Sequence, residues 1–219
     1  MNRQVYPEEY AKNLASGAPR KGVVQPVQVV PRQIWRQGSA SFGSRSIPEE
    51  TAVALTHNGG TYAVMMTTPR DLEEFAVGFS LGEGVITSSA DICSLDVLHV
   101  DAGVELRMWL NKPRADCLRG RRRHIAGPTG CGLCGIESIA EAMRPVAVIG
   151  HGRQFSAEKI MVAMRSLASR QKLNIGTRAV HAAALWNVTS GIVALREDVG
   201  RHNALDKLSG ALARASLWN

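Results

Sequence analysis

The feature that most constrains the fold is a glycine-rich segment, residues 127–135, which carries two cysteines in a C-x-x-C motif. Four glycines and one proline in nine residues disfavour a regular helix or strand, so the segment is predicted to be a loop that presents sulfur. Residues 136–143, which follow it, have the periodicity of a short helix. We therefore expect the Cys131 and Cys134 thiols to lie at a helix N-terminus, where the dipole stabilises a thiolate.

Length and charge narrow the class of protein. A chain of 219 residues is long enough to bury roughly 70% of its unfolded surface without disulfide crosslinks. Its net charge of +7 predicts affinity for an anionic ligand or partner. Since no secretory leader and no apolar run of the roughly 18 residues that span a bilayer are found, we expect a cytoplasmic protein. In that reducing compartment Cys93 and Cys117 are predicted to be free, packed as small hydrophobic side chains.

The distribution of polar and apolar residues predicts three regions. Residues 1–26 are polar and contain scattered prolines, so they are expected to form a flexible N-terminal arm. Residues 27–115 alternate like strands and contain one helical stretch, which predicts a β-rich region with one helix. Residues 116–219 contain the C-x-x-C loop and further helical and strand-like runs.

Local signals predict individual elements. Residues 38–46 are rich in glycine and serine and predict a loop, and Asn58, followed by two glycines, predicts a hairpin turn. Thr68 is predicted to be the N-cap of the helix in the β-rich region, and Ser156 the N-cap of a later helix. The apolar face of that later helix is predicted to contain Ile160, Met164 and Leu167.

A second candidate site is a charged motif near the C-terminus, residues 196–208. Seven charged or imidazole groups fall within twelve residues there, at a strand end and a helix start. One interpretation is a solvated helix start, with Asp206 and Lys207 facing water. The other is that Arg201 and His202, near a helix N-terminus, bind a phosphate or meet the reacting sulfur.

Besides a reactive dithiol, the C-x-x-C motif has two metal-based interpretations. Structural zinc needs a second pair of ligands, and no close pair of cysteines or histidines occurs elsewhere in the chain. A zinc deaminase needs a proline directly before the first cysteine and a glutamate near a ligating histidine. Pro128 stands two residues too early, and the string that begins at His181 lacks the glutamate. Structural zinc stays open, whereas deaminase chemistry is disfavoured.

Two further alternatives involve no metal. A thiol–disulfide exchange protein also places C-x-x-C at a helix start, but this chain is about twice the size that such a domain needs, and no aromatic residue precedes Cys131. The basic residues 119–124 suit nucleic acid, yet no aromatic residues are interleaved to stack on bases, so nucleic-acid binding is disfavoured.

Four motifs in one order carry a family resemblance. They are residues 69–84, 130–135, 181–184 and 197–208. Together they resemble the FdhD/NarQ family of formate dehydrogenase accessory proteins, with similarity from about Trp35 to Leu208. The resemblance implies an α/β (α+β) fold: a cytidine-deaminase-like sandwich with a β-rich N-terminal part. Because that family continues beyond the helix that contains Leu208, residues 116–219 are expected to be an incomplete deaminase-like region.

The resemblance also implies a function. Family members are sulfurtransferases that take persulfide sulfur from a cysteine desulfurase and deliver it to the molybdenum bis-molybdopterin guanine dinucleotide cofactor of formate dehydrogenase. Cys131 would carry the persulfide and Cys134 would assist it, while Arg201 and His202 are the candidates for contact with the cofactor. The cofactor would be a transient acceptor with no permanently bound group or metal, and the implied partners are the desulfurase and formate dehydrogenase. Independently of the resemblance, a second copy of the chain is a candidate partner. The alternative is a non-catalytic scaffold, either zinc-stabilised or a shortened family member.

Overall fold

The structure, a computed structural model, describes residues 24–122 and 150–217. In chain order the described elements are β1 (Val27–Arg36), β2 (Ser39–Pro48), β3 (Thr51–His57), β4 (Gly60–Thr67), α1 (Leu72–Gly82), β5 (Ile92–Val100), β6 (Gly103–Leu110), α2 (Lys112–Arg122), α3 (Ala157–Leu167), α4 (Lys172–Thr177), β7 (His181–Asn187), β8 (Gly191–Asp198) and α5 (Arg201–Arg214). This mixture confirms the predicted α+β class. The predicted loop with Cys131 and Cys134, the predicted helix at residues 136–143 and most of the predicted N-terminal arm lie outside the described residues. The division into three regions stays a prediction.

The described strands form three sheets. β1 pairs with β2 and β7 with β8 as antiparallel hairpins, while the central sheet has the order β4-β3-β6-β5, with β3 and β6 parallel. The predicted hairpin turn between β3 and β4 is confirmed: Asn58 and Gly59 have φ angles of 49° and 78°, as a type I′ turn requires. The Asn58 side chain also accepts a hydrogen bond from the Leu110 amide at 2.8 Å, which ties the turn to β6.

The prediction of a loop over residues 38–46 is wrong. These residues belong to β2, which pairs with β1 from Arg36 opposite Ser39 to Val27 opposite Pro48. Gln37 and Gly38 take the positive φ angles of a tight turn, so the hairpin is set by its turn and by its apolar partner strand. Gly43 and the serines at positions 39, 41 and 44 of β2 are exposed, Ser46 is half-buried, and none of them prevents pairing.

The predicted N-cap of α1 is also wrong. α1 begins at Leu72, after Asp71 in a left-handed conformation with φ 55° and no side-chain cap. Thr68 lies four residues before Leu72, fully buried, and its hydroxyl accepts a hydrogen bond from the Val199 amide at 3.1 Å. The Thr68 hydroxyl, which the local sequence predicted to cap α1, is therefore bonded to a residue about 130 positions later in the chain.

Helix α1 lies between the central sheet and α5. Its aromatic residues Phe75 and Phe79 join the core formed with β3 and β6. On its other side, a Cβ atom on Gly78 would lie 1.7 Å from the Asp206 carbonyl oxygen, and one on Gly210 would lie 1.8 Å from that of Glu74. The two helices therefore cross with their backbones in direct contact, which only glycine permits at both positions.

Helix α3 begins where the sequence predicts, but its apolar face is not buried against any of the described residues. Ser156 is the N-cap, as predicted, and its Oγ accepts from the Lys159 amide at 3.3 Å. Ile160 and Met164 remain 52% and 58% exposed, respectively. Within residues 24–122 and 150–217, no helix is long and apolar enough to cross a membrane.

Candidate functional site

The site is built where β8 ends and α5 begins. Gly200 is the N-cap of the 14-residue helix α5, and Arg201 and His202 are its first two residues. Both side chains are exposed, so a cation and an imidazole stand together at a helix end that attracts anions. Cys131 and Cys134 lie outside the described residues, and the meeting of this pair with the thiols stays a prediction.

A buried carboxylate fixes the turn that leads into α5. Asp198 is fully buried, and its Oδ2 atom accepts from Lys207 Nζ at 2.6 Å and from the Thr68 amide at 3.0 Å. The Thr67 hydroxyl donates to the same oxygen. Lys207 Nζ also donates to the Thr68 carbonyl at 2.8 Å. The last residue of β8, the end of β4 and the second turn of α5 are thus joined at one point.

The second oxygen of the same carboxylate holds the helix start itself. Asp198 Oδ1 accepts from the Gly200 amide at 2.8 Å and from Asn203 Nδ2 at 3.1 Å. Asn203 Nδ2 also donates to the Met66 carbonyl at 2.8 Å. With each of these groups satisfied, the network holds the backbone from which Arg201 and His202 project.

The interpretation that placed Lys207 in water is wrong. Its side chain is completely buried, and burial lowers the pKa of its ammonium group, while the Asp198 carboxylate opposes that shift. Sequence reasoning missed Asp198, Asn203 and Lys207 as a unit. One signal pointed to Lys207: it lies three and four positions, respectively, from Ala204 and Ala211, both buried on the inner face of α5.

Asp206, which the same interpretation also placed in water, is partly buried where α5 crosses α1. Burial raises the pKa of its carboxyl to about 6, and the charges of Glu83 and Asp198 act in the same direction. The folded protein therefore holds a proton on Asp206 more tightly than the unfolded chain does, and the ionised form opposes folding.

We expect Asp206→Asn to stabilise the protein at neutral pH. The cost of the wild-type charge develops as the pH rises from about 4 to about 6 and is constant above that range, because the folded-state pKa is raised. Allowing for partial solvent exposure, the gain is roughly 1–2 kcal/mol. Urea unfolding at about pH 4 and about pH 7.5 measures it, with Asp101→Asn on the exposed β5–β6 turn as the control. A gain of equal size at both pH values would contradict the explanation.

The prediction that Cys93 and Cys117 are packed as small hydrophobic side chains is wrong. Both thiols are free and exposed, the first on β5 and the second on α2. Within the described ranges, no group of three or more His, Cys, Asp or Glu side chains is arranged to hold a metal ion. Because both thiols are exposed, substitution of Cys93 and Cys117 is a control that tests whether sulfur chemistry is specific to Cys131 and Cys134.

This chain shares its fold with a solved structure and its sequence pattern with one protein family. A solved structure, described as a putative formate dehydrogenase accessory protein from Desulfotalea psychrophila, superimposes with a TM-score of 0.63 over 87% of this chain and 70% of that one. Its sequence is 23% identical, so the likeness speaks for the fold alone. The sequence model of the FdhD/NarQ family matches residues 48–217. The chain belongs to the FdhD/NarQ family, which confirms the resemblance carried by the four motifs.

Relatives in this family are named "Sulfur carrier protein FdhD". The one from Agrobacterium fabrum is 47% identical over 86% of this chain and 70% of its own length. The one from Cupriavidus necator is 43% identical over 82% of this chain and 62% of its own length. Another, from Bordetella petrii, is 41% identical over 82% of this chain and 64% of its own length. The chain thus spans between 62% and 70% of the length of these relatives.

Proposed function

We propose that this chain is a sulfur carrier that passes persulfide sulfur to the molybdenum bis-molybdopterin guanine dinucleotide cofactor and so supports formate dehydrogenase. The observation that carries the proposal is the family match over residues 48–217, which includes the C-x-x-C motif. The sulfur-carrier role is supported by the names of relatives up to 47% identical. The formate dehydrogenase role is supported by the family that the four motifs define.

The first step loads sulfur onto Cys131. Its thiolate attacks the outer sulfur of a persulfide on a cysteine desulfurase, an S–S bond forms to Cys131, and the desulfurase leaves as a thiolate. One S–S bond replaces another, so no external oxidant or reductant is consumed.

The second step releases sulfur to the acceptor. The Cys134 thiolate attacks Cys131 Sγ, the outer sulfur leaves with the bonding electron pair as sulfide, and the two cysteines become a disulfide. The cofactor, as substrate, takes the sulfide. An external dithiol then reduces the disulfide, which requires a reducing compartment and makes a cytoplasmic location part of the proposal.

Arg201 and His202 are proposed to bind the acceptor. A guanine dinucleotide carries phosphates, and an exposed guanidinium at the start of a long helix suits them through charge and bidentate hydrogen bonding. The buried network below the pair means that the helix start is already ordered before a ligand arrives. A second copy of the chain is a further proposed partner.

Sulfur loading tests the first step. The purified chain is incubated with a cysteine desulfurase and cysteine, and intact mass spectrometry should show the added mass of one sulfur atom. Cys131→Ala should abolish that addition, whereas the Cys93→Ser/Cys117→Ser double variant, which removes the exposed thiols, should load fully. A full sulfur load on Cys131→Ala would overturn the assignment of the carrier residue.

Complementation tests the later steps. Cys134→Ala and Arg201→Ala should both load sulfur in the mass-spectrometry assay. In a strain that lacks the accessory protein, neither variant should restore formate dehydrogenase activity. Arg214→Ala, at the opposite end of α5, is the matched control and should restore it as wild type does. Restoration by Cys134→Ala would contradict the release step, and stoichiometric zinc that is lost in Cys131→Ser would favour the zinc-stabilised scaffold instead.

A further inference from the structure

A groove of about 300 Å³ runs beside β8. It is lined by consecutive residues of that strand, 192–197, and by Arg70, Asp71, Arg170 and Lys172. Side chains of a strand alternate between its two faces, so a groove that touches six successive residues follows the edge of the strand. The groove does not include Arg201 or His202.

That edge offers backbone hydrogen bonds. Among the residues that the structure describes, β8 pairs with β7 alone, so its other edge presents N–H and C=O groups that no described strand bonds. At one end the Arg196 side chain donates to the Leu195 carbonyl at 2.8 Å. The stretch before Leu195 is therefore the part of the edge on which another extended chain can pair.

The walls of the groove have an excess of positive charge. Arg196 is held by the Glu74 carboxylate, with 2.7 Å between Arg196 Nη2 and Glu74 Oε1. The Glu197 carboxylate is also in use, because it accepts from the backbone amides at the start of α4 at 2.8 and 2.9 Å. Arg170 and Lys172 are exposed and make no ion pair with any side chain in the described ranges.

We propose that this groove binds an extended acidic peptide segment of a partner protein as an added strand on β8. The peptide backbone pairs with the edge of β8 that no described strand occupies, and its carboxylates pair with Arg170 and Lys172. A small anion would use the cations but leave the carbonyl groups of the edge without donors, whereas a peptide supplies both. The proposal is independent of sulfur transfer, since the groove shares no residue with the proposed chemistry.

The probe is a fluorescein-labelled octapeptide of alternating glutamate and valine, titrated with the full chain and followed by fluorescence anisotropy. Wild type should bind it with an affinity that falls as salt is raised. Arg170→Ala/Lys172→Ala should weaken binding about tenfold, as the loss of two ion pairs predicts. Arg32→Ala/Arg36→Ala removes the same charge from exposed sites on β1 and should change affinity by less than about twofold. Equal losses in both double variants would show general charge attraction and overturn the site.

Backbone pairing is tested separately from charge. The same peptide, N-methylated at alternate residues, keeps its carboxylates but loses amide donors, and should bind at least about tenfold more weakly. Amide hydrogen exchange of residues 192–195 should slow when the unmodified peptide binds. Equal binding of the methylated peptide, unchanged exchange, or tight binding of inorganic pyrophosphate without peptide binding would overturn strand addition.

Discussion

Replacement of Lys207 by methionine is expected to lower the free energy of unfolding by about 3–5 kcal/mol, the cost of removing one partner from a buried ion pair. The methionine keeps much of the apolar stem but removes the ammonium group that lies 2.6 Å from Asp198 Oδ2. The carboxylate is then left at zero solvent exposure without its cation. The Thr68 carbonyl also loses one of its two donors and keeps the Arg70 amide at 2.7 Å. Equilibrium urea unfolding followed by tryptophan fluorescence measures the change.

Two comparisons distinguish the loss of the ion pair from general damage to α5. Arg201→Ala, on the exposed side of the same helix, should stay within about 0.5 kcal/mol of wild type. The deficit of Lys207→Met should narrow when Asp198→Asn is added, because the second substitution removes the buried charge that the first leaves unpaired. A deficit below about 1 kcal/mol at neutral pH would mean that the pair contributes little beyond its desolvation cost.

Gly78→Ala is expected to destabilise the protein by about 3 kcal/mol, the upper end of the usual range for overpacking. The added methyl group would meet the Asp206 carbonyl oxygen and, at 2.7 Å, the Gly210 amide nitrogen. Both are backbone atoms, so no side-chain rotation relieves the clash, and α1 and α5 must move apart. Gly210→Ala should cost a similar amount, because its methyl group meets the Glu74 carbonyl oxygen. Thermal and urea unfolding measure both variants.

Gly82 supplies the matched control, one turn further along α1. A Cβ atom there would approach only Asp206 Oδ1, at the ordinary contact distance of 3.5 Å. Gly82→Ala should therefore be neutral or stabilising by up to about 1 kcal/mol, the gain in helix propensity. If Gly78→Ala were as well tolerated as Gly82→Ala, the close crossing of the helices would be contradicted.

Local chemistry made much of the fold predictable. The turn at Asn58 and Gly59 needs positive φ, and asparagine followed by glycine is the sequence pattern that favours it. The Ser156 cap bonds to an amide of its own helix, so it depends on local sequence alone. The prediction of a cap at Thr68 is wrong because its hydroxyl contacts Val199, a partner that no local pattern reveals. The prediction of a loop in place of β2 is wrong because the pairing of β2 comes from β1, not from the propensity of its own glycine and serine residues.

The part of the candidate site that depends on local sequence was predictable, whereas the part that depends on long-range contacts was not. The motif at residues 196–208 located Arg201 and His202, since unusual charge density at a helix start is visible in the sequence. The burial of Lys207 depends on Asp198 and on the hydroxyl and amide at the end of β4. The groove beside β8 is likewise formed by segments that are distant in sequence. No local sequence pattern therefore predicts its excess of positive charge.

The partners of Asp198 set an order on how the chain can fold during synthesis. Thr67 and Thr68 lie about 130 positions before the carboxylate that they bind, and Lys207 is nine positions after it. The end of β4 therefore leaves the ribosome long before its partner is translated and stays hydrated until then. Closing so long a loop is slow. Docking of β8 and α5 onto the end of β4 is thus a late event, and the helix start that presents Arg201 and His202 is completed only after Lys207 has been translated.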